Sequence, residues 1–522
     1  MSVLANIPAH EDAPRPALLL AAGVVSLLVL LPLAVTAFNA ASIGWDRAVM
    51  LLWRPLVGEL LVNTLALIAC VTTLCAVIGT AAAWLMERMD LPGRRVWAPL
   101  MVVPLSIPSF ITSYAWLSLS PAFATFGGAL LVVTIAYYPL VYLPVAAALR
   151  EMDPALEETA RTLGLSPRAI FWRVVLPQLR PALLGGMLLV AANTLVEFGA
   201  FALLRFRTFT TAIYATYRTG FSGAEPALLA MVLVLLCIAC LAAEQLVRGK
   251  ARYGRLARGA RRSAARYALR RWRHVTLLVL VLFVLTTTGV PLGMLGYWLT
   301  RSNSAATTVA AGTWTDLLQA AWSSVGLGLE GAVLTLLLAL PLALLAARHH
   351  GWVVTLVERC AYLGQSVPGI VVALALISLT VHHLRPLYQS RLSLLFAYAI
   401  LFLPVALVSV RAALGQAQQR LEEAGRTLGL GGFAVLWRIT LPLAAAGLGA
   451  AAAMVFIGVS TELTATLLLA PIGTHTLATQ IWADTSTVAF AAAAPYAAAT
   501  ALLSMSASWL LAQRFGASRV EA

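Results

Sequence analysis

The stretch LEETARTLGL, Leu156–Leu165, returns as LEEAGRTLGL at Leu421–Leu430, 265 positions later. Both copies are polar, contain an internal glycine, and lie between long apolar runs. The chain around them is 61% hydrophobic and only 11% charged, and its mean hydropathy of +0.88 is far above that of soluble domains. The sequence therefore indicates an integral membrane protein, with the repeated decapeptide in polar connections between its spans.

Apolar windows of the length that a bilayer of ~30 Å requires occur about twelve times along the 522 residues. These windows lie near 17–38, 58–85, 96–119, 128–149, 182–204, 226–247, 275–299, 318–346, 353–380, 392–410, 446–470 and 488–512. They are rich in Leu, Ala and Gly without period-two alternation, which favours helices over a barrel. We predict an all-α, polytopic helical bundle, and we interpret the first window as a retained span rather than a cleaved signal peptide.

Arginine residues are concentrated in a few connections, including ERMDLPGRR at 87–95, the segment 150–180 and the linker 248–274. All of these fall on one side when about twelve spans are threaded, so the positive-inside rule predicts that they and both termini are cytoplasmic. The net charge of +15 is then explained by orientation and by anionic lipid. We expect the protein to lie in a lipid bilayer, and we do not expect it to bind nucleic acid.

The chain is an internal duplication with the same direction in both copies. FWRVVLP at 171–177 corresponds to LWRITLP at 436–442, and upstream YLPVA at 142–146 corresponds to FLPVA at 402–406. The basic linker 248–274 separates a first repeat, 1–247, from a second repeat, 275–522, each with about six spans.

Around the decapeptide, the sequence predicts a helix, a turn and a second helix outside the bilayer, at 151–180 and again at 416–445. Asp153 is a helix N-cap, Pro154 suits the first helical position, and Gly164 supplies a stop with positive φ. Pro177 is expected to end the second helix. The first helix is amphipathic, so the hairpin offers a rigid docking surface.

The doubled pattern of Glu, two small residues, Leu-Gly, and Leu-Pro 12 and 13 residues after the Gly resembles the EAA coupling-loop signature of bacterial ABC importer permeases. The matching residues are Glu158, Thr159, Ala160, Gly164, Val174, Leu176 and Pro177, then Glu423, Ala424, Gly425, Gly429, Ile439, Leu441 and Pro442. The resemblance implies the type I importer permease fold in two homologous halves. It also implies that the ATPase contacts the hairpins. The coupling residues expected from it are Glu158, Ala160, Gly164, Leu176, Pro177, Glu423, Ala424, Gly429, Leu441 and Pro442.

The second hairpin departs from the first at two places. Gly431 and Gly432 replace Ser166 and Pro167, which removes a cap and adds backbone freedom, and Gly425 stands at the second small position. Weaker docking of the ATPase at the second hairpin is the resulting expectation.

The chain contains no G-x-x-x-x-G-K-[ST] phosphate loop, so it is not expected to be an enzyme. The resemblance implies a separate cytoplasmic ATPase, in two copies, and an external solute-binding protein, in a bacterial inner membrane. Cys237 and Cys240 lie within an apolar span, and the adjacent His382 and His383 diverge in most backbones. No metal site and no cofactor are expected.

NTLVEFGAFALL at 193–204 and TELTATLLLAPIGTHTLATQIWADTS at 461–486 resemble the ferric iron permeases within this family. Related permeases carry thiamine or 2-aminoethylphosphonate, and these remain alternative cargoes. A transporter driven by an ion gradient, an intramembrane enzyme and an ABC exporter are further alternatives, which the doubled hairpin and the lack of a catalytic constellation disfavour.

Three acidic residues lie inside predicted spans, where an ionised group costs about 2.5 to 3.5 kcal/mol or more. Glu197 and Glu462 are repeat partners, and Glu330 lies in the eighth window. We place all three on a candidate translocation path; the alternative is that they accept hydrogen bonds from neighbouring spans or from broken backbone. Prolines at 104, 108 and 368 are expected to break or kink the third and ninth spans.

Overall fold

The computed structural model describes residues 16–220, 223–248, 266–301, 314–349, 351–364, 367–416 and 419–516. Within these ranges the chain is helical, with a single isolated bridge between Met89 and Tyr267. The prediction of an all-α membrane bundle is confirmed.

The α-helices are numbered in chain order. They are α1 (Pro16–Ala41), α2 (Trp45–Leu52), α3 (Pro55–Arg88), α4 (Arg94–Leu100), α5 (Ser109–Leu119), α6 (Phe126–Tyr137), α7 (Pro139–Glu151), α8 (Pro154–Thr162), α9 (Pro167–Ile170), α10 (Leu176–Val196), α11 (Gly199–Leu203), α12 (Phe209–Thr219), α13 (Ala224–Arg248), α14 (Arg273–Val284), α15 (Val290–Thr300), α16 (Trp314–Arg348), α17 (Trp352–Leu363), α18 (Gly369–His382), α19 (Arg391–Gln416), α20 (Gln419–Thr427), α21 (Gly432–Val435), α22 (Leu441–Ser460), α23 (Thr464–Leu469), α24 (Leu477–Ser486) and α25 (Phe490–Gly516). The segments Phe171–Val175, Leu285–Gly289 and Leu436–Thr440 are π-helical.

Ten helical stretches of the described chain are long and apolar enough to cross a membrane, and a bent pair raises the number to eleven. The bent pair, Arg94–Ser106 with Ser109–Leu119, turns by 91° and occupies the third predicted window. In the ninth window, α17 ends at Leu363 and α18 begins at Gly369. Pro108 and Pro368 directly precede α5 and α18, so the two predicted breaks are confirmed.

The predicted end of the second hairpin helix at Pro177 was wrong. A single helical stretch runs from Arg168 to Val196, so it begins before the expected window of 182–204 and ends inside it, and its counterpart runs from Gly432 to Ser460. The π-helical turn before the proline is the reason, because the N–H of Leu176 donates to the carbonyl five residues back, at Phe171. This wider turn makes room for the proline ring, so the helix continues past Pro177.

One compact unit comprises the described residues within 39–317 and 479–505. Its core is formed by α3, α7 and α10, which approach closely at small residues. A Cβ at Gly79 would lie 2.8 Å from Val141 Cβ, and one at Gly186 would lie 2.9 Å from Val141 Cα. Such close backbone approach is typical of packing between membrane helices. Lipid supplies no hydrophobic driving force for their association, and small residues permit the close van der Waals contact that stabilises it instead.

The other compact unit comprises the described residues within 1–38, 318–478 and 506–522. Its centre is the pair α19 and α22, which meet where a Cβ at Gly447 would lie 2.3 Å from Ala413 Cβ. The first span packs in this unit, since Ser26 Oγ donates to the Val357 carbonyl over 3.0 Å. Each unit thus contains segments of both predicted repeats, while the repeat boundaries at 247 and 275 stay a prediction.

Candidate functional site

The first hairpin is closed by a left-handed glycine. Asp153 Oδ1 accepts the Ala155 N–H at 3.0 Å and caps α8. Gly164 has φ 80°, and its N–H donates to the Arg161 carbonyl at 2.9 Å, while the next N–H, of Leu165, donates to the Ala160 carbonyl at 3.1 Å. These two bonds form a Schellman motif, so the predicted N-cap and positive-φ stop are confirmed.

The second hairpin closes in the same way. Gly429 has φ 88°, its N–H donates to the Arg426 carbonyl at 3.0 Å, and the Leu430 N–H donates to the Gly425 carbonyl at 3.0 Å. The two hairpins therefore present the same turn geometry despite their sequence differences.

Side-chain packing explains why the second hairpin has a glycine at position 425. A Cβ at this position would lie 2.5 Å from Ile439 Cδ1, whereas the first hairpin has Ala160 and the smaller Val174 at the corresponding places. The glycine makes room for the larger isoleucine. Weaker docking at the second hairpin stays a prediction.

The predicted coupling residues divide into an exposed group and an inner group. Glu158, Glu423 and Ala424 are exposed. Apart from the flanking residues, no residue that the structure describes places an atom within 4 Å of a Cβ built on Gly164 or Gly429. The inner group belongs to the packing of the hairpins: Ala160 is only 5% exposed, and Leu176, Pro177 and Leu441, at the starts of α10 and α22, are half-buried. Pro442, beside Leu441, is exposed. The exposed group is the part that a docked partner would contact.

A buried ion pair ties the first hairpin to the end of the second span, and sequence reasoning missed it. Arg88, the last residue of α3, places Nη2 2.8 Å from Oε1 of Glu157 on α8, and the side chains are 3% and 4% exposed. The guanidinium N–H bonds are not aligned with the carboxylate, so the contact is an attraction of opposite charges rather than a directed hydrogen bond. Since an unpaired buried charge is costly, each group requires the other.

The same pair recurs in the second repeat. Arg348 at the end of α16 donates from Nη2 to Glu422 Oε1 at 2.6 Å, and Thr440 Oγ1 donates to the same oxygen at 2.9 Å. A signal for these pairs was available, because Arg88 and Arg348 are 260 positions apart, the offset seen for the preceding spans. The EAA pattern drew attention to the second glutamate of each Glu-Glu doublet, and the buried member is the first.

Glu197 lies at the break after α10 and joins three segments. Its Oε1 accepts the Ala200 N–H at the start of α11 over 2.9 Å. Its Oε2 accepts the Ser109 hydroxyl, at 2.8 Å, and the Tyr137 hydroxyl. The carboxylate thus connects the bend of the third span, the end of α6 and the broken fifth span.

Glu462 lies at the equivalent break after α22 but uses mainly backbone donors. Its Oε1 accepts the Thr464 N–H at 3.0 Å, and its Oε2 accepts the Ala465 N–H at 3.0 Å and the Thr466 N–H at 3.2 Å. Gly369 replaces the serine of the first repeat, and a Cβ there would lie 3.1 Å from Glu462 Oε1. Both carboxylates accept hydrogen bonds from broken backbone; their position on a translocation path stays a prediction.

Glu330 is held in a different environment. Arg391, the first residue of α19, binds it through two hydrogen bonds of 2.8 and 2.7 Å, and the two side chains are about half exposed, at 44% and 58%. The described chain brings no three His, Cys, Asp or Glu side chains together in a way that could hold a metal ion.

The sequence matches the family described as "Binding-protein-dependent transport system inner membrane component" twice, over residues 76–246 and 339–513. Each match includes one hairpin and one of the acidic residues at a span break.

The chain is 37% identical to a Fe(3+)-transport system permease protein of Haemophilus influenzae over 481 residues, which cover 92% of this chain and 94% of that protein. It is 30% identical to a sulfate transport system permease protein of Escherichia coli over 34% of this chain and 69% of the relative. A molybdenum transport system permease protein of Escherichia coli is 28% identical over 28% of this chain and 69% of the relative.

Proposed function

Since the chain belongs to the family of binding-protein-dependent transport system inner membrane components, as a duplicated ABC importer permease, we propose that its cargo is ferric iron. The observation that carries the proposal is the similarity to the Haemophilus iron permease across nearly the whole length of both chains. The sulfate and molybdenum relatives match about a third of this chain and support the shared machinery rather than the cargo.

The importer works with an external binding protein and a separate ATPase, and two ATPase copies would dock, one for each hairpin. The matching Schellman turns and the exposed Glu158 and Glu423 support one docking site on each hairpin. ATPase closure would move each hairpin, and the buried pairs Arg88–Glu157 and Arg348–Glu422 would transmit that movement to the second span of each repeat. The hairpin side is then cytoplasmic, as are both termini.

Glu197 and Glu462 would lie on the path of the cation. Membrane transporters commonly place their transport sites where spans are broken, because irregular backbone at that depth is tolerated only inside protein or beside a cavity. Carboxylate, phenol and hydroxyl oxygens, as brought together at Glu197, are hard donors of the kind that suit a hard cation.

The cargo is tested by uptake of radiolabelled ferric iron into vesicles that contain this chain, its ATPase and its binding protein. We expect uptake only when all three proteins and internal ATP are present. Uptake that survives ATP depletion and stops with an ionophore would instead indicate a transporter driven by an ion gradient. An intact ATPase complex that moves thiamine or 2-aminoethylphosphonate but not iron would overturn the iron assignment alone.

Glutamine at the two span breaks separates charge from structure. In Glu197→Gln, the new amide can donate to Ser109 or Tyr137, whose hydroxyls also accept, so we expect the fold to persist while iron uptake falls. In Glu462→Gln, the amide would face backbone N–H donors, so we expect a loss of about 1–3 kcal/mol in stability. Thermal unfolding of the purified chain and vesicle uptake measure the two effects; full uptake by a stable Glu197→Gln variant would exclude a role for its charge.

A further inference from the structure

A groove of about 580 Å³ runs along α3 beside the first hairpin. Its lining is apolar and aromatic. It includes Val77, Ala81 and Trp84 from α3, Phe171 and Trp172 from the π-helical segment of the first hairpin, and Tyr267 from the linker. Val77 is 63% exposed and Trp172 is 66% exposed, so the groove opens on the outer surface of a membrane span.

The depth of the groove corresponds to one leaflet. Its lining extends along the chain from Ala76 to Met89, next to the end of α3. A helix rises about 1.5 Å per residue, so this stretch covers roughly 20 Å, somewhat more than half of a hydrocarbon core of ~30 Å. The groove therefore follows the path of an acyl chain from the membrane surface on the hairpin side toward the bilayer centre.

The hairpin end of the groove carries positive charge. Arg168 lines it, is exposed, and makes no ion pair with any residue that the structure describes.

Tyr267 is held firmly at this place. Its N–H donates to the Arg88 carbonyl at 2.8 Å, its ring stacks on Trp84 with centroids 6.0 Å apart, and the Arg161 guanidinium lies 4.7 Å from its centroid. Aromatic rings of this kind are enriched at the membrane surface, where a ring meets lipid and a polar tip meets headgroups.

We propose that this groove binds one anionic phospholipid of the leaflet on the hairpin side. An acyl chain lies along α3 and against the Tyr267 ring, and the phosphate contacts Arg168. The second repeat has Phe433 at the position of Arg168, so the charged end of the site belongs to the first hairpin. A bound lipid would join the linker, the end of α3 and the first hairpin from the membrane side.

Native mass spectrometry of the full chain in detergent, titrated with dioleoyl-phosphatidylglycerol or dioleoyl-phosphatidylcholine, tests the site. We expect one tightly retained phosphatidylglycerol and weaker retention of phosphatidylcholine. Arg168→Gln should weaken phosphatidylglycerol binding about fivefold, because one basic residue near a membrane surface contributes about that factor, with little effect on phosphatidylcholine. Ala81→Trp fills the groove from an exposed position and should reduce retention of both lipids.

Arg438→Gln is the matched control, since it removes an exposed arginine from the π-helical segment of the second hairpin. It should leave both affinities unchanged. Equal losses in Arg168→Gln and Arg438→Gln would mean that phosphatidylglycerol responds only to the overall charge, and unchanged retention in Ala81→Trp would mean that no acyl chain occupies the groove. Either result overturns the proposal.

Discussion

Arginine in place of Gly164 or Gly429 is expected to abolish ATP-driven uptake while the rest of the chain stays folded. Both glycines have positive φ, 80° and 88°, where other L-residues pay roughly 1–2 kcal/mol. Space is not the obstacle, because no other residue in the described ranges comes within 4 Å of a Cβ at either position. The strain disturbs the two hydrogen bonds that close each hairpin, and the long cation projects from the surface proposed to dock the ATPase. Vesicle uptake and co-purification of the ATPase measure the effect.

Gly431→Arg is the control for bulk and charge. It puts the same side chain two residues after Gly429, at φ −65° and with no atom of the described chain within 4 Å of its Cβ, so the turn should persist and the ATPase should still bind. Normal ATPase binding and normal transport in both Gly164→Arg and Gly429→Arg would remove the hairpins from the mechanism.

Arg88→Ala is expected to cost about 3–5 kcal/mol in stability, because it leaves Glu157 buried with its charge unpaired. The first hairpin would lose its attachment to α3, and iron uptake should fall with it. Arg348→Ala should cost less, since its side chain is more exposed, at 15%, and Glu422 keeps the Thr440 hydroxyl bond. Thermal unfolding, limited proteolysis of the hairpin and vesicle uptake measure the difference.

The double variant Arg88→Met with Glu157→Leu tests whether charge itself is needed. Replacing a buried ion pair by apolar groups of similar size is often neutral or stabilising, so this variant should recover the stability that Arg88→Ala loses. Glu158→Ala, at the exposed neighbour, should leave stability unchanged. Wild-type stability and uptake in Arg88→Ala would show that the pair does not position the hairpin.

The local features of the hairpins could be read from the sequence because nearest neighbours decide them. The side chain of Asp153 caps a helix two residues away, and Gly164 adopts positive φ at low cost wherever a helix must stop. The end predicted at Pro177 was wrong because a π-helical turn precedes it, in which the N–H bonds to the carbonyl five residues back instead of four. No residue type is specific enough to predict such a turn from the sequence.

The acidic residues show the limit of the same reasoning. Their position inside predicted spans and the repeat symmetry singled out Glu197 and Glu462, but their different partners depend on which segments the fold brings together. Tyr137 lies 60 positions from Glu197, and Ser109 lies 88 positions away. Gly369 and Ala397 stand where the first repeat has Ser109 and Tyr137, so Glu462 lacks both of those hydroxyl partners and binds backbone donors instead.

The sequence by itself determined the membrane location, the helical class, the duplication, the hairpin turns and the family, because composition, periodicity and short-range backbone preferences are encoded locally. Only the tertiary structure decided that Glu157 and Glu422, rather than Glu158 and Glu423, are the buried glutamates, and that Arg88 and Arg348 neutralise them. Two adjacent glutamates have the same helix propensity, so the sequence does not show which of them is buried. That depends on how a short helix is rotated against a span distant in the sequence, because one residue along a helix turns the side chain by about 100°, from the protein interior to water.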